Sequence, residues 1–139
     1  MSRKIFVNLP VQDLQKSVDF YVGLGFSINP QFSDDTAACI VISEAIYAML
    51  LTHGRFTDFT PRPICDATQQ TEVITALSCD DRNEVDRLAE LACKAGGTET
   101  GDPLDYGFMY CRSLQDPDGH IWEAFWMNPE HVPQEAAAS

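Results

Sequence analysis

Basic residues are scarce in this sequence. Nine Lys and Arg stand against 21 Asp and Glu, for a formal net charge of −12 and a pI of about 4.3. A field of that sign repels nucleic acid, whose binding depends on Lys and Arg neutralising phosphates. It equally opposes docking on an anionic membrane surface, and no basic run interrupts the acidic average. Long apolar runs are missing too, since nothing approaches the roughly 20 residues of a membrane-spanning helix. Met1-Ser2-Arg3-Lys4 leads straight into a strand-like stretch, without the apolar segment and cleavage site of a secretory signal. The expected location is the cytoplasm. Cysteine pairing signals are absent as well: Cys39, Cys65, Cys79, Cys93 and Cys111 are odd in number, scattered, and include no Cys-x-x-Cys pair. Five reduced thiols, mostly buried, are expected, rather than a disulfide framework or a nucleophile with a histidine neighbour.

What is present is a duplicated pattern. A length of 139 residues with 45% hydrophobic composition fits one compact domain, 1–139, with a real core. In residues 4–11, Ile5, Val7, Leu9 and Val11 alternate with Phe6, Asn8 and Pro10, the period of a two-faced strand. Pro10 near its end suits an edge. Asp13 is placed to cap a helix whose Leu14, Val18, Tyr21 and Val22 share one face, and Gly25 stands where a left-handed terminus belongs. Strands are predicted at 27–32, 38–43 and 46–52. Residues 53–70 carry two prolines, two phenylalanines and mostly polar side chains, a linker loop of a length that is usually functional or mobile.

The pattern then returns. A strand is predicted at 72–78, with Val73, Thr75 and Leu77 opposite Ile74, Ala76 and Ser78. Asp81-x-x-Glu84 has capping-box spacing, Val85, Leu88, Ala89 and Ala92 form a second apolar stripe, and Gly96-Gly97 ends that helix. Strands follow at 98–100, 107–114 and 120–127, the last two joined by the turn Asp116-Pro117-Asp118-Gly119. The polar, Ala-rich tail 129–139 is expected to fray. Strand, helix and three strands thus occur twice, in module one (4–52) and module two (71–128), an α+β architecture. Each helix covers one face of its sheet, and the opposite faces are left free to curl into a cup.

The runs Leu9-x-Val11-x-Asp13-Leu14, Ser17-Val18-x-Phe20-Tyr21 and Leu24-Gly25-Phe26 resemble the opening of glyoxalase / bleomycin-resistance / extradiol-dioxygenase (vicinal-oxygen-chelate) superfamily proteins. Gly96-Gly97 and Asp116-Pro117-Asp118-Gly119-His120-x-Trp122-Glu123 resemble their closing segment, so the resemblance spans 4–128. It implies two tandem βαβββ modules forming a cupped eight-stranded mixed sheet, usually in a homodimer, with modules paired either within a chain or across the dimer. In the superfamily's enzymes it implies four cup-facing ligands to a divalent metal, which accepts two neighbouring substrate oxygens and stabilises the developing oxyanion.

Carried over one by one, the ligand positions fall at Phe6, near Leu50, at Ile74 and at Glu123. Phe, Leu and Ile have no lone pair for a cation, so Glu123 alone is retained. The expectation is no cofactor, with zinc, nickel or iron as the alternative. A one-residue shift offers Asn8, and His53, His120, Asp105 and Glu123 are the other parts of a rebuilt metal site, without concentrated spacing. Alternation puts Glu123 on the cup face with Ile121 and Phe125, and Trp122, Ala124 and Trp126 under the helix. A carboxylate in apolar company favours its neutral form, the condition of a general acid or base; otherwise it is hydrogen-bonded to Asn8 or a tyrosine.

Phe6, Asn8, Leu50, Ile74, Phe59, Tyr110 and Phe125 are the candidate ligand contacts, and Glu123 the catalytic one. Phe56 and Phe59 are either a lid or loop anchors. Tyr106, Phe108 and Tyr110 weigh toward core packing, and Arg55, Arg62 and Arg112 are the nearby cations for an anionic ligand, with a solvated surface the default for the first two. Two functions stand open. One is a metal-free protein holding a small organic molecule in an apolar cup. The other is a lyase or isomerase resembling lactoylglutathione lyase (glyoxalase I), working through a rebuilt metal site or through Glu123.

Overall fold

The computed structural model describes residues 2–131. Strand β1 (Ile5–Val11) leads into helix α1 (Leu14–Gly23). The Asp13 carboxylate accepts the Lys16 N–H at 3.1 Å, which caps the helix as expected. Gly25 leaves it at φ 99°, a left-handed conformation that a side chain would strain. Strands β2 (Ser27–Asn29), β3 (Ala37–Val41) and β4 (Ile46–Thr52) follow. β2 is shorter than predicted because Pro30 has no N–H for a ladder and instead opens a 3-10 turn capped by Asn29. The linker begins as a short helix, α2 (His53–Thr57), rather than as loop.

Module two comprises β5 (Ile74–Ser78), α3 (Arg82–Lys94), β6 (Thr98–Glu99), β7 (Leu104–Asp105), β8 (Met109–Gln115) and β9 (Ile121–Met127). Its capping box closes slightly out of register. The Glu84 N–H donates to Asp81, but the Glu84 carboxylate accepts from Asp80, one residue ahead of the cap. β7 was not predicted; it is a two-residue strand held against β8. Pro129–His131 form one 3-10 turn, and the rest of the predicted tail lies outside the described residues.

The strands form two sheets, ordered β1-β4-β3-β2 and β5-β9-β8-β6, with β7 added on β8. In both, the module's first and last strands run parallel and the remaining pairs antiparallel. The duplication read in the sequence is therefore a duplication of topology.

The helices touch each other. A Cβ on Gly97, just past α3, would meet the Phe20 ring at 2.7 Å, and one on Gly23 would meet Ala95 at 2.9 Å. Tyr21 of α1 also stacks edge-on against Trp122 of β9. α1 and α3 thus lie in one layer between the sheets, and each sheet turns its other face outward. Val11, Ala38, Ile40, Ala48 and Leu50 meet Leu114 and Trp122 across Phe20, Tyr21, Ala89 and Ala92 in a single core. Burying each large apolar side chain there stabilises by about 1.5–3 kcal/mol.

A buried polar network ties the modules. The Tyr21 hydroxyl donates to Asp116 at 2.6 Å, and the Trp122 indole N–H donates to the Tyr21 oxygen at 2.9 Å. The second Asp116 oxygen accepts the N–H groups of Asp118 and His120. Asp118 in turn accepts the Gln12 N–H, and His120 Nε2 lies 2.7 Å from the Pro10 carbonyl. The Asp-Pro-Asp-Gly turn therefore staples module two to β1 and α1. Burial holds the Asp116 carboxyl above its ordinary range despite these bonds.

Candidate functional site

The outward faces follow from strand register. On the first sheet Phe6 pairs with Tyr47 and Asn8 with Met49; on the second Ile74 pairs with Ile121, Ala76 with Glu123, and Ser113 with Glu123. Side chains at paired positions share a face. Phe6, Asn8, Ile74, Ala76 and Ser78 are exposed, whereas Ala37, Cys39 and Leu51, toward the far side of the first open face, are buried. Phe6 stacks on Tyr47 with ring centroids 4.6 Å apart, and the Lys4 ammonium lies over the same tyrosine. Among the strand residues of both open faces, Glu123 is the only charged side chain.

Glu123 faces outward with Ile121 and Phe125, as alternation required, while Trp122 and Ala124 are buried beneath the helices. It is half-buried, and the Ser113 hydroxyl donates to it at 3.2 Å. The partner is thus a serine, not Asn8 or a tyrosine; the Asn8 amide donates to the Phe6 carbonyl instead. Burial and then the Glu123 charge raise the neighbouring Cys111 thiol, so it rests protonated and is not a nucleophile at neutral pH. Cys79 is pushed up to about 12, first by burial and then by Glu84. All five cysteines are free, but Cys65 and Cys93 are exposed, against the expectation that most are buried.

Several expected contacts are elsewhere. Leu50 is fully buried under α1, because the parallel register places it beside Leu9 on the covered face; Tyr47 and Met49 hold the outward positions of β4. Tyr110 is on the covered side of β8, where its hydroxyl donates to Asp86 of α3. Phe59, just past the end of α2, is 67% exposed and lies under the Arg55 guanidinium. Tyr106 and Phe108 are exposed rather than packed in the core. Arg112 is committed to Asp86 and Glu99, while Arg55 and Arg62 are exposed. Phe6 and Asn8 occupy the open face of the first sheet, and Ile74, Phe125 and Glu123 that of the second.

A divalent metal does not fit these positions. Phe6, Met49, Ile74 and Glu123 offer one carboxylate and a thioether, short of the three or four N, O or thiolate donors such a site requires. The rebuilt alternative is dispersed: Asp105 is held by Arg82, His120 meets Pro10, and His53 is exposed on α2. Among the described residues no three His, Cys, Asp or Glu side chains are grouped as metal ligands. None of the described helices is long and apolar enough to cross a membrane. Tyr47, Met49 and Ser113 were missed in the sequence, since β4 from Ile46 to Leu51 is apolar throughout and alternation alone does not say which of its faces is outward.

Residues 3–43 match the family described as "Bleomycin resistance protein-like N-terminal". The chain is 31% identical to a hypothetical protein, SA1046, from S. aureus, covering 91% of this chain and 95% of that one with a TM-score of 0.75. It is similar in fold to a glyoxalase/bleomycin resistance protein/dioxygenase family enzyme from Burkholderia phytofirmans PsJN, at 16% identity over 91% and 99% of the two chains and a TM-score of 0.74. A bleomycin resistance determinant encoded on the transposon Tn5 is similar at 20% identity over 91% and 98%, with a TM-score of 0.63. No curated protein matches.

Proposed function

Since this chain belongs to the glyoxalase / bleomycin-resistance / dioxygenase superfamily, we propose that it binds a small organic molecule on the open faces of its sheets, without the metal of the superfamily's enzymes. One observation carries the reading: the open-face strands hold a single charge, Glu123, steadied by Ser113 among apolar residues. A lone carboxylate in such a surface selects a ligand with an apolar body and a positive or hydrogen-bond-donating group. The opposite outward direction of the two faces favours a cup closed by a second copy, sheet one of one chain against sheet two of the other.

Rhodamine 6G, a planar apolar cation, tests the proposal by fluorescence polarisation. Binding is expected, with Glu123→Gln weakening it about tenfold, the size of one lost charge-assisted hydrogen bond. Affinity unchanged in Glu123→Gln would sink the assignment. The second reading, a Glu123-dependent lyase or isomerase like lactoylglutathione lyase, rests on the same retained carboxylate. Turnover of the hemithioacetal of methylglyoxal and glutathione, lost in Glu123→Gln, would favour it, and stoichiometric zinc, nickel or iron in purified protein would restore the metal enzyme.

A further inference from the structure

We infer that the chain holds a second small-molecule site beside the β1 and β5 edges of its sheets, distinct from the surface around Glu123. α1 and α3 pack over β3 and β4 and over β8 and β9. Beside the edge strands β1 and β5 the helix layer ends, and a cavity of about 360 Å³ remains that no α1 or α3 residue lines. Inward-facing Val7, Leu9, Thr75 and Trp122 form its walls, and Phe56, Ile64 and the segment leading to Val73 close it over. That volume lies within the range of pockets that hold small organic ligands.

Its polar lining is mostly uncharged, with Asn8, Thr60, Gln70, Thr71 and Thr75 beside His120. Ile5 donates its N–H to Ala45 just before β4, while the Pro10 carbonyl meets His120 on the opposite side of β1. Strand alternation therefore turns the N–H and C=O of Asn8 away from β4, toward the cavity it lines. They supply one donor and one acceptor. The lining includes one guanidinium, Arg62, and one carboxylate, Glu72, neither of them in an ion pair among the described residues. With one exposed charge of each sign and otherwise uncharged polar groups on an apolar wall, the cavity favours an uncharged molecule of one or two rings that carries hydrogen-bonding groups. Phe6, Ile74 and Glu123 do not line it, although Asn8 and Ile121 of the open faces reach its edge, so the two sites are told apart by residues that belong to only one of them.

N-phenyl-1-naphthylamine, a neutral two-ring amine whose fluorescence rises in apolar surroundings, is the probe. One molecule should bind per chain, excited by energy transfer from Trp122 in the wall. Thr75→Phe should fill the wall and Val73→Phe the rim, each weakening binding at least tenfold; Val73 is 63% exposed, so its variant does not disturb the core. Phe6→Ser and Glu123→Gln should leave affinity within twofold. The inference is overturned if both cavity variants bind normally, if an open-face variant abolishes binding, or if anionic 8-anilinonaphthalene-1-sulfonate binds as tightly as the neutral probe.

Discussion

The two modules share a topology yet cover their sheets differently. Under α1 the first sheet is dry: Ala38, Ile40, Ala48 and Leu50 are all buried. Under α3 part of the second is ionic. Arg112, its side chain 16% exposed, binds Asp86 of α3 at 3.0 Å and Glu99 of β6 at 2.8 Å. Arg82 pairs with Asp105 through two 2.8 Å bonds and stacks over Tyr110 and Trp126. The open faces, by contrast, resemble each other, both almost free of charge on a protein of net charge −12. Two packing solutions serve equally well where a face needs only to be covered. Agreement on the accessible side, where charge would aid solubility, marks those faces as the ones with a task.

Adjacent residues of one strand sharpen this contrast most strongly. Leu50→Ala should destabilise by about 3 kcal/mol through loss of buried volume, whereas Met49→Ala on the open side should cost less than about 1 kcal/mol. Urea denaturation measures both, and equal costs would break the assignment of faces.

Next in size is the staple between modules. Asp116→Ala strands the Tyr21 hydroxyl and two backbone N–H groups, an expected loss of about 2–3 kcal/mol. Because burial raises the folded-state pKa of Asp116, the folded protein holds that proton more tightly than the unfolded chain. Its contribution is fully present below the unfolded value of about 4 and is lost as pH rises through the raised value. Stability curves of wild type and Asp116→Asn should therefore differ in slope across that interval. Parallel curves would remove the residue from the pH dependence.

Smaller again, Arg112→Ala should cost about 1–2 kcal/mol in the charge-assisted bonds to Asp86 and Glu99. Added salt should shrink the loss only partly, since the guanidinium is mostly shielded from solvent. Complete loss of the effect in high salt would mean that the ionic cover is only superficial.

Much of this was legible in the chain. Helix caps at Asp13 and Asp81, the glycines after each helix and the Asp-Pro-Asp-Gly turn are local chemistry, and they mark the repeat. The face of Glu123 was legible because Trp122 and Ala124 define the buried side of β9. The face of β4 was not, because Ile46-Tyr47-Ala48-Met49-Leu50-Leu51 is apolar throughout and its alternation carries no polar phase marker; only the register with β1 sets it. Tyr110 packs on the covered side, as the core reading expected and the ligand-contact reading did not, but its bonding was not legible. Its partner, Asp86, is 24 residues away on α3, and pairing at that distance has no local signature.

Sedimentation equilibrium on wild type and Phe6→Asp tests most directly whether the open faces are the working surface. A dimer at tens of micromolar that dissociates in Phe6→Asp, with the unfolding temperature of the single chain retained, is the predicted result. A wild-type monomer, or a Phe6→Asp variant as dimeric as wild type, would contradict it.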